Sequence, residues 1–124
     1  MVYIDANVIL RYLLNDNADM SAKSRELIAK TKISVRYEVL AEVVYVLSKV
    51  YLLSRDKFVK SILEFLSHPN VETESEDALT TALNTYAETN LDFVDCILYG
   101  FKAVYGHSIF TFDKQLNSML NKLA

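Results

Sequence analysis

The chain is poor in the residues that staple, kink or loosen a protein: among 124 residues there are one cysteine, one proline, two glycines and no tryptophan. A lone cysteine, Cys96, excludes an intramolecular disulfide, and its place in an apolar stretch reads as packing in a reducing compartment, so a cytoplasmic location is expected. So little Gly and Pro argues against a loop-dominated or disordered chain. With 52% hydrophobic residues it points instead to a compact fold rich in regular structure. Long apolar runs are missing too: the first is interrupted by Asp5 and Arg11, and none approaches the ~18 residues of a membrane span. Neither a signal peptide nor contact with a membrane is expected. The two histidines, His68 and His107, sit apart in turn-like segments and are thin support for histidine acid–base chemistry. A formal charge of −3 excludes a broadly basic coat. It leaves nucleic acid open as a partner, because acids gathered in one site leave the remaining surface nearly balanced.

A chain of this length buries about two-thirds of the surface its unfolded form exposes, enough for one core and no second. It contains no repeat, low-complexity stretch or linker, so residues 1–124 read as a single domain. Short apolar strands are expected at 2–4, 33–35, 71–73 and 108–111. Helices are expected at 8–14, 21–30, 38–52, 54–67 with Ser54 as N-cap, 76–89, 92–105 and 114–123, and Gly106 marks the left-handed stop before the last strand. Strands separated by helices indicate an α/β fold, a three-layer α/β/α arrangement around a short central parallel sheet. Functional sites in such folds gather at the carboxyl ends of the strands.

Four acids occupy apolar surroundings in the sequence. Asp5 lies between Ile4 and Ala6, Glu42 is the only charge between Val39 and Leu47, Asp95 lies between Val94 and Cys96, and Asp113 follows Phe112. A carboxylate taken out of water costs several kcal/mol unless it is paired, hydrogen-bonded or placed on a metal. Lys and Arg are scarce around these runs, so a shared divalent cation is the expected partner. Asp5 and Asp113 fall at strand ends, and Glu42 and Asp95 would reach the same edge from the amino-terminal parts of two helices. Simpler roles stand beside this one. Asp5 can cap the following helix through an Asx turn, Asp113 can cap the last helix, and Asp92 can be an N-cap with Asp95 in the dipole-favoured first turn. Glu42 lacks such an explanation, since its neighbours one turn away are Glu38 and Val46.

The segments Tyr3-Ile4-Asp5-Ala6-Asn7-Val8-Ile9-Leu10, Val39 to Leu47 around Glu42, Asp92-Phe93-Val94-Asp95-Cys96-Ile97-Leu98 and Ile109-Phe110-Thr111-Phe112-Asp113-Lys114 resemble, in order and spacing, the PIN-domain family, most closely its VapC-type toxins. The resemblance covers nearly the whole chain. It implies a metal-dependent endoribonuclease, the toxin of a type II toxin–antitoxin pair, held inactive by a cognate antitoxin and commonly a homodimer. It also implies an acidic site for one or two Mg²⁺ or Mn²⁺ ions, carried over to Asp5, Glu42, Asp95 and Asp113 as catalytic metal ligands, with Asp92 as a secondary ligand. Asn7 and Thr111 match positions that orient the site. Ala6 departs from the family, which often has Thr there; this affects a hydroxyl contact and not a metal ligand.

The chemistry suits these residue types. Oxygen-only ligands select hard cations over zinc. Such ions polarise a phosphoryl oxygen, lower the pKa of a bound water and offset the repulsion between an acidic cluster and a phosphate backbone. Water as nucleophile would leave a 5′-phosphate and a 3′-hydroxyl. Arg11, Arg36, Lys102 and Lys114 are candidates for phosphate contact, and the tyrosines for base stacking, beside their ordinary roles as surface charge and packing. The apolar stretch from 39 to 53 exceeds what a small core needs and is a candidate partner surface. Rival readings are an RNA-processing nuclease without antitoxin, a catalytically silent binding or assembly domain, and a phosphatase using Asp5 as nucleophile. The last would favour a second Asp where Asn7 stands.

Overall fold

The computed structural model describes residues 1–123. Among the described residues three parallel strands, β1 (Val2–Tyr3), β2 (Ile33–Val35) and β3 (Val71–Thr73), form an open sheet in the order β1-β2-β3, accompanied by seven α-helices. This is the α/β class with a short parallel sheet that the alternation of strands and helices led us to expect. The chain falls into two compact units, Met1–Glu74 and Ser75 onward. Among the described residues no helix is long and apolar enough to cross a membrane.

The first unit holds the whole sheet. The register pairs Val2 with Ile33 and Tyr3 with Ser34, then Ile33 with Val71, Ser34 with Glu72 and Val35 with Thr73. Parallel neighbours need long crossovers, and the chain supplies them as α1 (Ala6–Leu14) with α2 (Ala18–Lys30), and then α3 (Tyr37–Tyr45) with α4 (Arg55–Leu66). Helix α1 packs on α2, α3 and α4. Apolar residues at helical spacing carry the burial: Ile9 and Leu10 on α1, Leu40, Val43 and Val44 on α3, and Phe58, Val59, Ile62 and Phe65 on α4. The Tyr12 ring leans on Phe65 at 5.3 Å between centroids. Asn17 caps α2 by accepting from the Met20 N–H, so this helix begins three residues ahead of the expected 21.

The helix expected at 38–52 is not uniform. After Tyr45 the backbone widens into a π-helical segment, Val46–Val50, and the chain leaves it through Leu52 at φ 54°. A left-handed conformation is costly for a branched side chain. It is maintained here by the bonds that close the segment, Tyr51 N–H to the Val46 carbonyl at 3.1 Å and Leu53 N–H to the Leu47 carbonyl at 3.0 Å. Ser54 stands at the N-cap of α4 as expected, though its side chain makes no capping bond.

The second unit is helical: α5 (Glu76–Glu88), α6 (Phe93–Tyr105) and α7 (Lys114–Asn121). Helices α5 and α6 meet closely because Gly100 lies against the Ala78 carbonyl oxygen, where a Cβ would stand only 2.6 Å away. Gly106 ends α6 at φ 70°, the left-handed stop expected of it. The strand expected at 108–111 does not form. A strand is defined by its ladder, and among the described residues this segment has none. Its polar groups bond locally instead: Thr111 Oγ1 accepts from the Asp113 N–H at 3.1 Å, and the Thr111 carbonyl accepts from Asn117 Nδ2 at 2.8 Å. These bonds turn the chain into α7 and leave Phe110 and Phe112 exposed, with their rings edge to face.

Candidate functional site

In the first unit Asp5 follows the end of β1 and serves as N-cap of α1, its Oδ1 accepting from the Val8 N–H at 3.1 Å. Asn7, in the first turn of the same helix, is exposed. Glu42 lies in the middle of α3 and is also exposed. Helical geometry explains this, because neighbours in sequence point away from one another while residues four apart share a face. Leu40, Val43, Val44 and Leu47 turn inward, whereas Glu38, Glu42 and Tyr45 form an exposed stripe.

Beside that stripe Arg36, the residue after β2, donates from Nε to Glu38 Oε1 at 3.0 Å and meets Glu74 Oε1 at 2.9 Å. The carboxyl of Glu38 is held below the usual range, first by the bond to its own backbone N–H and then by Arg36. Glu74 is the residue after β3, between the strand expected at 71–73 and the helix expected at 76–89, and the sequence offers no reason to single it out. Its signal was position alone, one step beyond a strand's carboxyl end.

In the second unit Asp92 occupies the N-cap position of α6 without a side-chain capping bond, and Asp95 lies in the first turn of that helix. Asp113 caps α7, its Oδ1 accepting from the Leu116 N–H at 2.7 Å. Asp113 and Asp92 both act on Asp95. Asp95 is half-buried, and its carboxyl is pushed above the usual carboxylate range, first by burial and then by the negative charges of Asp113 and Asp92. Thr111 binds the backbone of Asp113 and so fixes the turn that carries it.

The structure therefore corrects part of the sequence argument. Asp5, Glu42 and Asp113 are exposed, whereas Asp95 is half-buried and its carboxyl is pushed up by that burial. The capping roles weighed for Asp5 and Asp113 are both realised, and capping uses one carboxylate oxygen in each case while leaving the other lone pairs available. Among the described residues no group of three or more His, Cys, Asp and Glu side chains is already drawn together as a cation cage. The donor set nevertheless fits a hard divalent cation. It is all oxygen, and the charges of Asp113 and Asp92 bear on Asp95 in a way that a cation would relieve.

Comparison with known protein families matches residues 2–120 to the PIN domain. No curated protein and no solved structure matches the chain.

Proposed function

Because this chain belongs to the PIN-domain family, we propose that its nuclease fold acts as a metal-dependent endoribonuclease, the toxin of a type II toxin–antitoxin pair. The negative charges of Asp113 and Asp92 acting on the half-buried carboxyl of Asp95 carry the reading, since a carboxylate beside like charges favours a divalent ion. Asp5, Glu42, Asp95 and Asp113 would hold Mg²⁺ or Mn²⁺, one or two ions, with Asp92 as a further ligand. The bound ion would polarise the scissile phosphate and lower the pKa of the attacking water.

The chain's own residues supply position. The capping bonds of Asp5 and Asp113 fix the direction of each carboxylate, and Thr111 holds the turn before Asp113. Asn7 orients the first acid from the helix that Asp5 caps. The family match spans both units, which supports reading them as one nuclease domain. RNA as substrate, a cognate antitoxin, a homodimer and a cytoplasmic location complete the proposal. The exposed side chains of Tyr45, Val50, Leu52 and Leu53 support a protein partner on the first unit.

The test is cleavage of total RNA by the purified chain with Mg²⁺, with Mn²⁺ and with chelator, alongside Asp95→Asn. Cutting that needs the metal and disappears in the variant is the expected result. Folded, inhibitor-free protein that cuts with neither metal would instead favour a binding module.

A further inference from the structure

At the carboxyl edge of the sheet three residues share a row. The register aligns Tyr3, Ser34 and Glu72, so two residues further along the strands lead to Asp5, Arg36 and Glu74. Arg36 is gripped at one atom. The closest contacts of Glu38 and Glu74 are both with Nε, at 3.0 and 2.9 Å, and not with the Nη1–Nη2 edge. That edge is the fork that matches the oxygens of a phosphate. The side chain is 43% exposed, and ion pairs so open to water are weak enough for an arriving anion to compete with them.

Tyr3 pairs with Ser34 on the neighbouring strand, two residues before Arg36, and it is 65% exposed. An exposed aromatic ring and an oriented guanidinium on one sheet edge are the two elements by which proteins hold single-stranded nucleic acid, a stacking platform and a backbone contact.

We propose that Tyr3 and Arg36 form a nucleotide subsite for single-stranded RNA, in which the guanidinium edge takes phosphate oxygens and the Tyr3 ring stacks on an adjacent base. Glu38 and Glu74 are positioning residues that hold the guanidinium by Nε. The subsite rests on the ribonuclease reading and adds to it where the strand lies relative to Asp5.

The experiment is fluorescence anisotropy with a labelled mixed-sequence single-stranded RNA oligonucleotide and Ca²⁺ in place of Mg²⁺, over a series of salt concentrations. Tyr3→Ala should weaken binding about tenfold and leave the salt dependence unchanged. Arg36→Gln should weaken binding and lower the slope of log affinity against log salt by about 0.7, whereas Arg36→Lys, which keeps the charge, should retain the slope. Variants that lose thermal stability but bind RNA as the wild type does would overturn the subsite and leave Arg36 as a tie between strand ends. That result would leave the nuclease reading standing. Wild-type protein that binds no RNA would overturn both.

Discussion

Asp5 and Asp113 are each bound to a helix start before any ligand arrives, and this separates what their substitution does to folding from what it does to chemistry. Asparagine caps a helix about as well as aspartate, whereas loss of the capping oxygen costs about 1 kcal/mol. Asp5→Asn and Asp113→Asn should therefore melt within a degree or two of the wild type, and Asp5→Ala and Asp113→Ala roughly 1 kcal/mol lower, while RNA cleavage falls in all four. Urea unfolding alongside the cleavage assay separates the two effects. Asp95 should behave in the opposite way. Its folded pKa lies above the unfolded value, so its contribution to stability is intact below the unfolded pKa and is lost as pH rises through the folded one. In chelator, Asp95→Asn should then be more stable than the wild type at neutral pH, with the advantage disappearing as pH falls into the ordinary carboxylate range. Melting curves across that range would check the sign. The identity of these acids was legible in the sequence, but their burial was not. Residues adjacent in sequence suggested an apolar environment for Glu42, whereas the helical period turns it outward with Glu38 and Tyr45.

The elements show where local rules held and where they gave way. Caps, turn residues and apolar spacing located six of the helices to within a few residues and the start of α3, whose expected end at 52 fell instead at Tyr45, because these signals are read within one or two turns. The junction of α5 and α6 depends on a contact that no local pattern reveals. Gly100 lies inside a helix, where glycine is unfavourable, and its absence of a side chain is what admits the Ala78 carbonyl. Gly100→Ala should therefore destabilise the second unit by about 1–3 kcal/mol despite alanine's better helix propensity, since backbone must move to accept the methyl group. Thermal unfolding measures this, and an unchanged or raised melting temperature would contradict it. The π-helical Val46–Val50 segment and the unpaired 108–113 stretch were illegible for a related reason. Both are chosen by how a segment closes its backbone hydrogen bonds, and hydrophobic period does not encode that.

For the molecule as a whole, a cation that binds the folded chain and not the unfolded one must raise its stability. Mg²⁺ at ten times its dissociation constant would add about 1.4 kcal/mol, roughly 5 °C in melting temperature for a chain of this size. Chelator should reverse the rise and Asp95→Asn should lose most of it, as scanning calorimetry can record. The sequence by itself determined the class of the fold, its first three strands and the positions of its helices, and an oxygen-only set of acids in a fixed order. Those properties follow from composition, period and capping, which act over short distances along the chain. Only the tertiary structure decided the sheet order and register, the exposure of Asp5, Glu42 and Asp113, and the electrostatic grouping of Asp92, Asp95 and Asp113. It also decided the placement of Arg36 between Glu38 and Glu74. Each of these depends on residues distant in the chain being brought together by packing, and solvent exposure and charge interaction are properties of that arrangement.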